Sequence, residues 1–372
     1  MTNSLNMYDR KTVVITGHTG FKGTWLTSWL LSLGANVVGL SDNFVTSPSH
    51  YQSSKLSEHI QDIRLDVRNK DQLSEAISDI KPDFIFHLAA QSLVKESYLD
   101  PVGTIETNTL GTVNLLNALR NLSNNCIVIL ITSDKSYENV EWEWGYREID
   151  RLGGVDPYSA SKGATELLIQ GMIRSFFPKD GGIRIAIARA GNVIGGGDWA
   201  KSRIIPDCIR AWAENKEVEI RNPHATRPWQ HVLEPLSGYM ALAIQLANDE
   251  KLHGEVFNFG PKSEQDYTVL DLVEEMKKYW DKVKYKITDS TMEVYESGLL
   301  KLNCDKAANH LDWNAVLIFS ETVELTSIWY SIYYNNLDIS EIDRSTQIFD
   351  LTRKQINTYT QIAKERGLKW AL

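Results

Sequence analysis

Thr16-Gly17-His18-Thr19-Gly20-Phe21-Lys22-Gly23 lies between a short β-branched run and an apolar segment, and its reading decides the fold. The run before it, Thr12–Thr16, reads as a buried parallel strand. Glycines at 17, 20 and 23 permit a tight turn and close backbone approach. They leave the first amides of the following helix, with the positive end of its dipole, facing a pyrophosphate. A glycine triplet alone is equally a strand-to-helix turn; its place between first strand and first helix is what points to a dinucleotide. The spacing is Gly-x-x-Gly-x-x-Gly, not the Gly-x-Gly-x-x-Gly of ordinary Rossmann dehydrogenases.

Outward from this loop, strand-like and helix-like segments alternate. Residues 36–40, 63–66, 84–88, 127–132 and 183–189 read as further strands. Between them, Leu73, Ala76, Ile77 and Ile80 share one helical face, and 105–122 and 158–177 read as long helices. This pattern predicts an α/β fold, a doubly wound parallel sheet with helices on both faces. After Gly191 the rhythm breaks at Gly195-Gly196-Gly197-Asp198 and at Pro206, Pro223 and Pro228. The expected organisation is a dinucleotide-binding domain over 1–190, with a return segment around 230–260. A smaller, interleaved ligand-binding domain then occupies most of 191–372. Helical segments at 270–279 and 321–334 read as packing elements.

Composition narrows the function. Lysine and arginine number 39 against 48 acids, a formal net charge of −9, and no basic block is present. Nucleic acid is therefore not an expected partner, and an anionic ligand must be held by a few placed cations and amides. The three cysteines, Cys126, Cys208 and Cys304, are far apart and read as reduced thiols. The opening residues lack the apolar run of a signal peptide, and no stretch is long and apolar enough to span a bilayer, so a cytoplasmic location is expected. The eight histidines show no metal-ligand spacing, and no metal is expected.

Two Tyr-x-x-x-Lys pairs occur among 15 tyrosines. Tyr51/Lys55 lies in a serine-rich stretch and reads as solvated loop. Tyr158/Lys162 opens a long helix after the fifth strand. One helical turn puts the ammonium on the tyrosine's face, where a cation lowers a phenol's pKa toward that of a working base. Ser133, at the end of that strand, adds a hydroxyl for a sugar oxygen. These residues, with the glycine spacing, resemble the extended short-chain dehydrogenase/reductase family. The stretch Thr132-Ser133-Asp134-Lys135 resembles its nucleotide-sugar 4,6-dehydratases, which place a hydroxyl residue, Asp and usually Glu here. Lys135 departs from that Glu and resembles the branch acting on CDP-glucose, as do stretches at 20–26, 155–167 and 189–207.

The resemblance implies NAD as cofactor, held by Gly17, His18, Gly20, Phe21, Lys22 and Gly23. Asp42 would meet the adenosine ribose, with no arginine beside it for a 2′-phosphate. Asp66 and Val67 would lie against the adenine, and Leu88, Ala89, Ala90 and Gln91 along the cofactor. Asn108 would brace the active-site lysine, and Tyr158 and Lys162 would also touch the cofactor. The implied substrate is a sugar nucleotide, CDP-glucose, held by Ser133, Asn192, Arg227 and Arg203. The implied reaction converts CDP-D-glucose to CDP-4-keto-6-deoxy-D-glucose by C4 oxidation, loss of water across C5 and C6, and hydride return to C6. Tyr158 would act at the C4 hydroxyl, Lys135 at C5 and Asp134 at C6. A 4-epimerase or a 4,6-dehydratase of another nucleotide sugar would share all of this except Asp134-Lys135 and the base pocket. Helices 105–122 and 158–177 are apolar on more than one face, and family members pair them, so a homodimer or dimer of dimers is expected. Trp142, Trp144 and Tyr146 read as a lid or packing patch.

Overall fold

The computed structural model describes residues 4–220, 222–261, 267–288 and 300–372. The strands are β1 (Thr12–Thr16), β2 (Asn36–Ser41), β3 (Gln61–Arg64), β4 (Phe84–His87), β5 (Cys126–Ile131), β6 (Ile183–Ala190), β7 (Val218–Ile220), β8 (Thr226–Arg227), β9 (Val256–Phe259), β10 (Tyr267–Thr268) and β11 (Tyr285–Ile287). Around them run α1 (Phe21–Ser32), α2 (His50–Ser53), α3 (Lys70–Ile80), α4 (Val94–Leu99), α5 (Pro101–Ile105), α6 (Gly111–Leu119) and α7 (Pro157–Phe176). Then come α8 (Ile204–Ala213), α9 (Leu233–Asn248), α10 (Val269–Lys277), α11 (Asp305–Leu311), α12 (Phe319–Asn335) and α13 (Glu341–Glu365).

One seven-stranded sheet, in the order β3-β2-β1-β4-β5-β6-β9 with every pair parallel, carries the molecule. Alternation along each strand assigns side chains to its two faces. Val13 and Ile15 face Trp25 and Trp29 of α1 and Leu236 and Met240 of α9. Val14 faces Leu73 of α3, Leu115 of α6 and Ile169 of α7. In β6 the alanines 186, 188 and 190 lie on the first face and Ile185 and Ile187 on the second. The doubly wound parallel sheet expected from the sequence is therefore present. Its strand order reverses between β1 and β4, so the crevice for a ligand opens at the carboxyl ends of these two strands.

The chain returns to the sheet after β8. Helix α9 packs on β5 and β6, and β9 adds the last strand beside β6. The small pairs β8–β10 and β7–β11 and helices α10 to α13 lie beyond. Two elements differ from the sequence reading. The third strand ends at Arg64, which leaves Asp66 in the loop beyond it. The helix expected at 105–122 is instead α5, a π turn at Glu106–Leu110, and α6. The π turn carries Asn108, and such turns concentrate where a side chain has a specific task.

Candidate active site

The glycine loop is shaped for close approach. Gly17 has φ +71°, and a Cβ there would stand 2.8 Å from the amide nitrogen of Ala89. At Gly23 a Cβ would fall 2.2 Å from the Gly17 carbonyl oxygen, so α1 can seat on the loop only without one. No side chain caps α1 at Gly20, which leaves its first N–H groups for a ligand. This is a cradle that fits a pyrophosphate. Thr16 orders the facing turn: its Oγ1 accepts from the Ala89 N–H at 3.1 Å and bonds His87 Nδ1 at 2.7 Å. The half-buried run Leu88, Ala89, Ala90 and Gln91 thus lies along the loop.

The side chain of His18 turns away from this cradle. It is buried against Gly39, with Nε2 3.1 Å from Asp62 Oδ1, so only its backbone remains in the loop. At the end of β2, Ser41 is buried and its Oγ bonds Thr19 Oγ1 at 2.8 Å, whereas Asp42 is exposed with Oδ1 accepting from the Asn43 N–H at 2.8 Å. The absence of an arginine near Asp42 holds only along the sequence. Arg68, from the loop after β3, comes within electrostatic reach of Asp42. Its guanidinium is held by both oxygens of Asp66, with Nε at 2.8 and 3.1 Å, and this pairing holds the Asp66 carboxyl below its ordinary pKa. Asn69, not Asp66, caps α3. Val67 is buried against Gly111.

At the end of β5 the chain turns through Asp134–Ser136 with Ser133 as its cap. Ser133 Oγ donates to Asp134 Oδ1 at 2.9 Å and accepts from the Lys135 N–H at 3.2 Å. The same hydroxyl acts on the nearby Tyr158 phenol, favouring its ionised form. Pro157 and the Asp156 cap, whose Oδ1 accepts from the Ser159 N–H at 2.9 Å, start α7 and set Tyr158 on its first turn. Lys162 follows one turn later, buried, its ammonium drawn down to about 8 by burial against the pull of Glu166. Asn108 bonds Ser161 Oγ at 2.9 Å and both backbone groups of Gln91, at 2.8 and 3.0 Å. It therefore ties α7 to the turn after β4, next to the lysine and not on it.

The electrostatics correct one expectation. Tyr158 is pushed up to about 12 by burial, with the Ser133 hydroxyl opposing that rise and the Asp134 charge adding to it. Desolvation, not a neighbouring ammonium, dominates the phenol. Burial also raises the Asp134 carboxyl, against Lys135, the Ser133 hydrogen bond and Lys22. Lys22, brought by α1, is lowered to about 8 by burial, with Asp134, Arg203 and Lys162 acting on its charge. Its Nζ lies 3.5 Å from Tyr239 Oη of α9. Lys135 is half-buried.

The structure thus brings Ser133, Asp134, Tyr158, Lys162, Lys22 and Arg203 into one charged cluster. Arg203 bonds Asp198 Oδ2 at 2.9 Å and Ser92 Oγ at 3.3 Å, and its charge reaches Tyr158. Asn192 is exposed on the loop after β6, where a Cβ at the preceding Gly191 would stand 3.1 Å from Asp134 Oδ2. Arg227 is half-buried in β8, with Nη1 donating to the Thr226 carbonyl at 2.8 Å. The second pair, Tyr51/Lys55, is no solvated loop. Tyr51 is 2% exposed, packs edge-on against His18 and donates to Asp62 Oδ2 at 2.7 Å, well away from Ser133 in the fold. Among the described residues no His/Cys/Asp/Glu group is arranged to hold a metal, and no disulfide links the three cysteines.

Two features escaped the sequence reading. Behind the β5 turn, Glu166 and Arg189 form a fully buried ion pair, with Arg189 Nε at 2.8 and 3.0 Å from the carboxylate. Thr132 Oγ1 donates to Glu166 at 2.6 Å, and Arg189 Nη1 donates to Tyr137 Oη at 2.6 Å, so both ends of the Ser133–Lys135 turn are fixed. The signal was an arginine inside the apolar strand at 183–190, which must find a carboxylate to be buried. The second is Tyr239, one unmarked tyrosine on an apolar helix. Trp142, Trp144 and Tyr146 are a packing patch in part: Tyr146 stacks on Tyr137, while Trp142 and Trp144 edge a cavity of about 850 Å³ shared with Lys301–Asp305.

Comparison with known proteins agrees with this geometry. The model of the family described as GDP-mannose 4,6 dehydratase matches residues 14–326. A CDP-glucose 4,6-dehydratase of Salmonella typhimurium is 42% identical over 338 residues, 90% of this chain and 94% of that protein. Among solved structures, the epimerase Mth375 of Methanothermobacter thermautotrophicus superposes with a TM-score of 0.75 at 21% identity, covering 94% of this chain and 96% of its own. A UDP-glucose 4-epimerase of Brucella ovis, solved in complex with NAD, gives 0.72 at 20% identity, covering 86% and 97%. These two share the fold. The match of the family model over most of the chain, with the close dehydratase relative, shows that the protein belongs to the GDP-mannose 4,6 dehydratase family of extended short-chain dehydrogenases/reductases.

Proposed function

We propose that the protein is an NAD-dependent CDP-glucose 4,6-dehydratase, a hydro-lyase with no net redox change. The observation that carries this reading is the buried carboxyl of Asp134, bonded by Ser133, beside Tyr158. An epimerase needs only the tyrosine, lysine and hydroxyl; an acid held toward its protonated form is what the loss of water adds. The 42% identical relative supports CDP-glucose as the substrate.

What a nicotinamide supplies when bound is a hydride store, filled from C4 and emptied to C6. The chain's own residues do the rest. Tyr158 accepts the C4 hydroxyl proton, with Ser133 orienting the sugar oxygen. Lys135 takes the C5 proton that the 4-ketone makes acidic, and Asp134 gives a proton to the departing C6 hydroxyl. Asn192, Arg203 and Arg227 are assigned to the sugar nucleotide, a guanidinium being suited to bidentate phosphate contact. The cofactor is assigned to the cradle of Gly17, Gly20, Phe21, Lys22 and Gly23. Asp42 takes the ribose hydroxyls, which favours NAD over NADP because Arg68 is already committed to Asp66. Residues 1–190 with 230–260 form the cofactor portion, and the rest of 191–372 the sugar-nucleotide portion.

The test is incubation with CDP-, dTDP-, UDP- and GDP-glucose, with the products followed by NMR. A 4-keto-6-deoxy sugar is expected from CDP-glucose at the highest kcat/KM. A C4 epimer, or faster dehydration of another nucleotide's glucose, contradicts the assignment.

A further inference from the structure

The Glu166–Arg189 ion pair is fully buried behind the turn that carries Ser133, Asp134 and Lys135. Stability alone does not account for it. Withdrawing two charges from water costs about as much as their attraction returns, and an apolar pair of similar size often serves a fold equally well. The hydrogen bonds of the pair are spent on the turn. Thr132, just before Ser133, donates through Oγ1 to Glu166 at 2.6 Å. Tyr137, two residues after Lys135, accepts through Oη from Arg189 Nη1 at 2.6 Å. Arg189 Nε and Nη2 go to the carboxylate, and Nη1 also donates to the Glu148 carbonyl at 3.2 Å. Tyr137 Oη donates onward to Asn258 Oδ1 of β9 at 2.8 Å. Asn258 Nδ2 in turn donates to the Tyr146 and Asn303 carbonyls, at 2.8 and 3.1 Å.

Glu166 belongs to α7 itself, one helical turn beyond Lys162, which is one turn beyond Tyr158. A spacing of four keeps the three on one face of the helix. The two halves of the proposed chemistry therefore sit on different elements. Tyr158 and Lys162, for oxidation at C4, are on α7; Asp134 and Lys135, for elimination across C5 and C6, are on the turn after β5. We infer, on the 4,6-dehydratase reading, that Glu166, Arg189 and Tyr137 are positioning residues that fix the elimination turn against the oxidation helix. Through Arg189 and Tyr137, Glu166 sets where Asp134 and Lys135 meet C6 and C5 of a sugar whose C4 hydroxyl is held by Tyr158. The Thr132 bond anchors the other end of the turn. A displacement of about 1 Å at a reacting group can cost about 100-fold without any change in the group itself.

Two variants separate positioning from support of the fold. Tyr137→Phe keeps the ring and its stacking on Tyr146 but removes the hydroxyl that Arg189 holds. Glu166→Leu with Arg189→Met replaces both charges together, so no lone charge is left in the core. Both are expected to bind cofactor as wild type does by calorimetry, and the double variant to unfold at a denaturant midpoint near that of wild type. Formation of the 4-keto-6-deoxy product should fall by about 100-fold in each. Because Tyr158 and Lys162 keep their place on α7, C4 oxidation should outrun elimination, and reduced nicotinamide should accumulate by absorbance during turnover. Tyr137→Phe carries the test alone if the double variant does not fold. Turnover within a few-fold of wild type, or a loss with no accumulation of reduced cofactor, would show that the pair only supports the fold and would overturn the inference. A wild-type protein that forms no 4-keto-6-deoxy sugar would instead overturn the substrate reading, and the positioning role with it.

Discussion

Tyr158 and Lys162 stand one helical turn apart at the mouth of α7, yet burial dominates both, the phenol rising to about 12 and the ammonium falling to about 8. Tyr158→Phe should fold, bind cofactor by calorimetry and lose turnover by about 10³-fold or more. Tyr51→Phe should leave turnover within a few-fold and cost stability instead, because Tyr51 is the buried donor to Asp62. The reverse ranking would mean the site has been placed on the wrong pair. Lys135 is tested by isotope exchange. If it is the C5 base, Lys135→Met should still oxidise C4 and accumulate reduced cofactor, but exchange no C5 hydrogen with deuterated solvent. Asp134→Asn should exchange C5 and release little dehydrated product. Normal exchange by Lys135→Met would remove it from the base role. The sequence was readable here because glycine spacing, Tyr-x-x-x-Lys and Ser-Asp-Lys are local patterns. The position of Arg68 beside Asp42, and of Lys22 and Tyr239 beside Asp134, was not, since each pair meets only when distant elements pack.

At the scale of elements, the strands followed from the continuous β-branched and apolar runs at 12–16 and 127–132. What periodicity could not show was the π turn that aims Asn108, or the polar groups that join elements through the core. Glu234 of α9 is such a group. Its carboxyl is fully buried and accepts from the Val316 and Leu317 N–H groups at 2.8 and 2.6 Å and from Tyr359 Oη of α13 at 2.8 Å. Burial raises it from 4.5 to about 7, against those hydrogen bonds. The folded state thus holds the Glu234 proton more tightly than the unfolded state. Its contribution is fully present below the unfolded value and is lost as pH rises toward 7. The loss is on the order of 3 kcal/mol for a shift of this size. His50 and His231, lowered to about 3 by burial, act in the opposite sense, losing stability as pH falls below their unfolded values. The stability difference between wild type and Glu234→Gln isolates the carboxyl. Denaturant melts should show wild type losing ground to the variant between pH 5 and pH 8. A difference independent of pH would contradict this account of Glu234.

For the molecule as a whole, part of the apolar surface is left uncovered. Tyr98, Leu99 and Val102 on α4 and α5 are 64%, 79% and 64% exposed, and Leu167 on α7 is 64% exposed. A second copy would cover such side chains if they form one patch, and α5, the π turn and α7, which lie in this region, pack together. Sedimentation at micromolar concentration should give a dimer or a dimer of dimers, and Leu99→Glu with Leu167→Glu should shift it toward monomer. A monodisperse wild-type monomer would contradict this. No helix among the described residues is long and apolar enough to cross a membrane. The central claim concerns the path of one hydrogen through the assembled cleft, and one measurement follows it directly. CDP-glucose carrying deuterium at C4 is turned over by the purified protein, and the product is read by NMR and mass spectrometry. The account predicts deuterium at C6 of a 4-keto-6-deoxy sugar, with one solvent-derived hydrogen at C5. Deuterium retained at C4 in an epimerised product, or lost to solvent, would contradict it.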